Sequence, residues 1–219
     1  LDGIDDLRQG VMRVIGDPET RYREDPVRML RAVRLASKLN FAIDAESADI
    51  IMAKADMINH VPQARLFDEV LKMITCGSVE EIYANLQHFG FFNILFPATA
   101  KAMVEDETGF YQKFLAIALQ ETDARLAEGR SINPAFLLGV ILWMPLQSAI
   151  AWHESKGLSV FQAIVAAESD VLNEQRQIMS MPKRMTFFIR EVWKLQYHLP
   201  QQRRVRMYRT LNHPRFRAA

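Results

Sequence analysis

Apolar residues return every three or four positions along almost the whole chain, and no stretch sustains an alternation of apolar and polar residues. That period predicts helices throughout and an all-α fold. A first helix is expected over about Asp5–Ile15, ended by Gly16 with Pro18 beyond it. The next starts after Asp25, read as its N-cap because Pro26 suits a first helical position, and closes at Asn40. In that segment Arg28, Arg31, Arg34 and Lys38 form one stripe, while Met29, Leu30, Val33 and Ala36 supply the apolar side. Asp44 caps a helix over about Ala45–Ala55, and Pro62 opens one that runs to Thr75 before Gly77. Ser78 and Glu81 read as a capping box for a helix ending near Gly90. Phe91 to Pro97 reads as an apolar turn and Glu105–Glu107 as an acidic connector. Further helices are expected at Phe110–Ala127, Pro134–Trp143, Leu146–Ser155, Ser159–Ile178, Pro182–Leu199 and Gln202–Asn212. Pro97 divides the pattern into two helical subdomains, residues 1–96 and 97–219.

Composition narrows the class. An apolar share of 49% and a charged share of 24% suit a packed core and exclude global disorder. The single Cys76 leaves no internal disulfide framework, fits a reducing compartment and so a cytoplasmic setting, and reads as a packed or helix-end residue. No run approaches the roughly 18 apolar residues of a membrane span, so no membrane partner is expected. A start at Leu1 reads as a segment of a longer polypeptide.

The net charge of +1 hides an uneven distribution. Residues 180–219 hold ten Lys or Arg against Glu191 alone, which gives that stretch +9 and the remainder −8. Lys183, Arg184, Arg190, Lys194, Arg203, Arg204, Arg206 and Arg209 are the candidate RNA-binding cations, interleaved with Phe187, Phe188, Trp193, Tyr197, Tyr208 and Phe216. Cations among rings suit an RNA whose unstacked bases lie on aromatic faces. A solvated helix face with core aromatics has the same composition.

The segment RYREDPVRMLRAVRLASK, Arg21 to Lys38, carries the most chemistry. Asp25 and Arg28 stand one helical turn apart. A carboxylate beside a guanidinium can accept from an exocyclic amine and donate to a ring nitrogen of one nucleobase. Capping and the helix dipole alone also favour acids followed by arginines at a helix start. Elsewhere no metal-ligand spacing, phosphate-binding loop or nucleophile elbow occurs, and the five histidines are scattered. Adjacent Asp5 and Asp6 diverge on a helix and do not grip one metal together.

Gly3, Asp6 and Leu7, followed by GDPETRYREDPVRMLRAVRLASKLN, resemble the head-to-neck junction of class II nucleotidyltransferases, which add nucleotides to RNA 3′ ends. Bacterial poly(A) polymerases and CCA-adding enzymes share it. Glu24, Asp25 and Arg28 match the family's base-selecting Glu-Asp-x-x-Arg motif, and Gly3 and Asp6 match its flexible junction. Pro62, Arg65, Leu66, Glu69 and Lys72 match a neck motif that braces the base-reading helix. MPKRMTFFIREVWKLQ and HPRFRAA resemble the basic body of the poly(A) polymerase branch.

The resemblance implies a neck (1–96) that selects the base and a body (97–219) that binds RNA, with ATP and RNA 3′ ends as partners. Asp25 would accept from the adenine amine, Arg28 would donate to a ring nitrogen, and Glu24 would orient the guanidinium. Arg31 and Arg34 would meet triphosphate or RNA backbone, or else pair with acids of the neck. The family's catalytic carboxylates and their Mg²⁺ belong to a β-sheet head upstream of the junction. No catalytic or metal-binding residue is therefore expected in this sequence, and it is expected not to polymerise alone. A CCA-adding enzyme segment and a non-catalytic helical RNA-binding module are the alternatives. No partner of RNA-degradation or helicase type is specified.

Overall fold

A computed structural model describes residues 3–198 and 214–215. The described residues form thirteen α-helices and one two-stranded ladder, as an all-α fold requires. In chain order these are α1 (Gly3–Gln9), β1 (Val11–Met12), α2 (Pro18–Glu24), α3 (Val27–Leu39), β2 (Ala42–Ile43), α4 (Ala45–Lys54), a 3-10 turn (Ala55–His60), α5 (Gln63–Thr75) and α6 (Val79–His88). The second half contains α7 (Phe91–Leu95), α8 (Pro97–Glu105), α9 (Phe110–Ala127), α10 (Pro134–Ile141), α11 (Trp143–Ser155), α12 (Val160–Ile178) and α13 (Lys183–His198). The expected Gln202–Asn212 helix lies outside the described residues, as do Arg203, Arg204, Arg206 and Arg209.

α3 follows its pattern closely. Met29, Leu30, Val33 and Ala36 are buried, and Asn40 ends the helix in the left-handed conformation. The Met29, Leu30 and Val33 side chains join a continuous cluster of buried hydrophobics that runs from Tyr22 to Trp193 through both halves of the chain. At the far end Trp193 donates from Nε1 to the Gly139 carbonyl at 3.0 Å, locking α13 against α10.

Several local expectations are corrected. The first helix stops at Gln9, because Gly10 turns at φ 68° and releases Val11–Met12 to pair in parallel with Ala42–Ile43. Backbone bonds from Ala42 N to Gly10 O (2.8 Å) and Asp44 N to Met12 O (3.0 Å) extend that ladder. Pro18 does not follow a helix but starts α2, where its missing N–H costs nothing and Asp17 caps the Thr20 amide at 2.7 Å. Asp25 is no N-cap: its own amide bonds the Arg21 carbonyl at the end of α2, and α3 has no side-chain cap.

Nor does Ser78 cap α6. Asp123 of α9 takes that role, accepting from the Val79 amide at 2.8 Å and the Glu80 amide at 3.0 Å. Phe91–Pro97 is helix rather than turn, since three of its aromatic rings are buried and α8 follows directly. α10 and α11 break at Leu142 and bend by 49°, which leaves Pro145 in the first turn of α11, where no amide is needed. Among the described residues no single helix is long and apolar enough to cross a membrane.

Candidate functional site

The corner between α2 and α3 gathers the motif residues. Pro26 forces the chain to turn there, so Glu24 ends one helix, Asp25 lies extended, and Arg28 rises in the first turn of the next. Glu24 Oε2 receives Arg28 Nη1 at 3.1 Å and Arg21 Nη1 at 2.6 Å. Arg28 Nη1 also donates to the Arg21 carbonyl at 3.2 Å. The guanidinium of Arg28 is thus anchored through one terminal nitrogen, and its fork has a fixed direction.

Asp25 faces a partner on another helix. Arg65, in the first turn of α5, places Nη2 3.0 Å from each carboxylate oxygen. Each oxygen has a second lone-pair direction, so a carboxylate held this way still has the capacity to accept from an amine. Asp25 and Arg28 are consequently fixed from two sides, one by α5 and one by Glu24.

One turn further along α3, Glu69 of α5 is 1% exposed and sits among three cations. Arg34 Nε donates to its Oε1 at 2.5 Å, Lys72 Nζ lies 3.4 Å from Oε2, and Arg31 Nε lies 3.7 Å away. A buried carboxylate needs such company to offset desolvation. Arg34 thus pairs with an acid of the neck, and Arg31, half exposed, lies within ion-pair distance of the same carboxylate.

Gly3 and Asp6 lie on α1, apart from this corner. Gly3 is exposed, with open space where a Cβ would stand, and Asp6 pairs with Arg13 at 3.2 Å. Arg13 also reaches Asp44, the N-cap of α4, at 2.6 Å. Spacing gave no sign of this tie, whereas the Arg21–Glu24 pair is an i,i+3 contact within α2. Lys54, on α4, bonds Glu19 and holds α2 from its other side.

On α13, Lys183 and Arg184 are exposed, Arg190 bonds Ser169 Oγ at 3.4 Å, and Lys194 lies 3.6 Å from Glu168. Glu168 is 1% exposed with Oε1 unpartnered, and burial pushes its carboxyl above the usual range while Lys194 and Arg190 oppose the shift. Cys76 sits at the end of α5 with its thiol raised by burial. Among the described residues no group of three His, Cys, Asp or Glu side chains is placed to hold a metal ion.

Comparison with known proteins bears on the family of the chain as a whole. A family model described as "Polymerase A arginine-rich C-terminus" matches residues 156–219. Another, "Probable RNA and SrmB-binding site of polymerase A", matches residues 40–103. Poly(A) polymerase I of Salmonella typhimurium is 41% identical over 220 residues, which cover 100% of this chain and 47% of that protein. The Haemophilus influenzae protein of the same name is 39% identical, over 100% of this chain and 48% of its own length. A CCA-adding enzyme of Levilactobacillus brevis is 40% identical over only 34% of this chain. Among solved structures, an apo CCA-adding enzyme superposes on 92% of this chain and 42% of its own with TM-score 0.54 at 16% identity, which speaks for the fold alone. The chain spans about half the length of the curated relatives that match it throughout. With two polymerase A models matched and 39–41% identity sustained from end to end, this chain belongs to the bacterial poly(A) polymerase family.

Proposed function

We propose that this chain is the base-selecting and RNA-holding portion of a template-independent RNA nucleotidyltransferase that adds AMP from ATP to RNA 3′ ends in the cytoplasm. The observation that supports it most is the pair Asp25 and Arg28, each clamped by a separate partner at one solvent-facing corner. The carboxylate of Asp25 accepts the adenine amine, and the guanidinium of Arg28 donates to a ring nitrogen. Glu24 fixes the fork, and Arg31, half exposed beside Glu69, is the cation that meets the triphosphate or RNA backbone. Residues 1–96 choose the base, and residues 97–219 hold RNA by phosphate contacts that carry no sequence information. The description of the model over residues 40–103 adds RNA contact to the neck. The described carboxylates do not fit the paired Mg²⁺ ions of phosphoryl transfer, so no step of the transfer itself is assigned to them. Residues 1–219 alone are expected not to incorporate AMP with Mg²⁺ and ATP.

The test is made in the full-length protein. Arg28→Ala should reduce the preference for ATP over the other nucleotides by about 5- to 150-fold, the range of one bidentate base contact, while RNA affinity holds. An equal loss with all four nucleotides would overturn base selection. A CCA-adding activity is the second reading, favoured by the 40% identity to such an enzyme over 75 residues. Products on a tRNA lacking its 3′ end separate the two, as a long A tail or as an added CCA.

A further inference from the structure

We infer that α13 carries a track for single-stranded RNA in which Phe187 is the platform for one unpaired base. This rests on the reading that the basic C-terminal part holds RNA. Lys183, Phe187, Arg190 and Lys194 are spaced by four, three and four residues, so they fall on one stripe of the helix. The opposite side is core: Met185, Phe188, Ile189, Val192 and Trp193 are all buried. Phe187 is 60% exposed, although Phe188 beside it is almost fully covered.

A single exposed ring carries no message by itself. Its place does, because Lys183 stands one turn before it and Arg190 one turn after. Those cations lie roughly 10 Å apart along the axis at 1.5 Å per residue, with the ring between them. A protein partner seeking an apolar anchor would meet charge on both sides of Phe187. A single strand meets what it needs: phosphates go to the cations, and the base between them lies on the ring face. Such a contact is indifferent to base identity, as an enzyme whose primer varies requires. Arg190 is steadied by Ser169, and Lys194 at the end of the stripe is held by Glu168.

The experiment measures binding of a fluorescein-labelled oligo(A) to the full chain over a series of salt concentrations. Phe187→Ala should weaken binding about 5- to 150-fold and leave the salt dependence as it was, since no charge changes. Phe187→Trp should bind like the parent, and Phe187→Leu, apolar but without a ring face, should fail like alanine. Lys183→Ala and Arg190→Ala should each lower the slope of log K against log salt by about 0.7. If the two cation variants leave affinity and slope unchanged, RNA does not lie on this face and the underlying reading fails. If they act but Phe187→Ala and Phe187→Leu bind like the parent, stacking alone is overturned. Binding of the parent to anionic lipid vesicles that Phe187→Ala abolishes, with RNA affinity intact, would assign the ring to a membrane surface instead.

Discussion

Arg65 of α5 reaches Asp25 across the α2–α3 corner and sets one nitrogen 3.0 Å from each oxygen of its carboxylate. The residue that looks like a helix cap is therefore half of a tertiary ion pair. Its carboxylate direction is decided by a helix that begins almost forty residues later.

Two ion pairs made by α5 should differ sharply in their effect on stability. Arg65 is about half exposed, so Arg65→Ala is expected to cost under about 1 kcal/mol. Arg34→Ala leaves Glu69 buried without its nearest partner, at a cost on the order of 3 kcal/mol. Urea denaturation of the two variants checks this, and equal midpoints would contradict it.

The cap of α6 offers a second contrast. Asp123→Ala removes the acceptor of two otherwise orphaned amides and should destabilise the fold by about 1 kcal/mol. Ser78→Ala should stay within about 0.5 kcal/mol, because the Ser78 hydroxyl bonds only the neighbouring Gly77 carbonyl. A larger loss for Ser78→Ala in thermal melts would restore the local capping box.

Glu168 gives the fold a dependence on pH. Burial raises its pKa in the folded state, so the neutral form is favoured there. A group of that kind contributes stability that is complete in acid and is lost as pH rises through its folded pKa. Glu168→Gln makes the neutral form permanent. The variant should melt above the parent once pH exceeds the raised folded pKa, with the gap closing as pH falls towards the ordinary carboxylate range. A constant gap would mean that the charge of Glu168 is not the cause.

The helical class and most helix spans were legible along the chain. α3, α4, α5, α9, α12 and α13 lie within a residue or two of where periodicity puts them, because an apolar stripe must face the core whatever the core contains. The resemblance brought Glu24, Asp25 and Arg28 together in sequence, and their corner is local, built by Pro26 between two short segments. Misreadings arose where one residue type serves two structures. Pro18 stops one helix or starts another, and Gly10 decides only in company with the strand that Phe41 leads into.

What the sequence determined by itself is which faces are apolar and which residues are neighbours within a turn of helix. Those follow from covalent spacing and a 3.6-residue period. Only the tertiary structure decided that Arg65 holds Asp25, that Glu69 holds Arg34, that Asp123 caps α6 and that Glu168 lies beneath Lys194. Each of those joins two elements, and its partner is chosen by how the helices pack around the core. A guanidinium has many carboxylates within reach of its sequence, and burial selects the one left beside it.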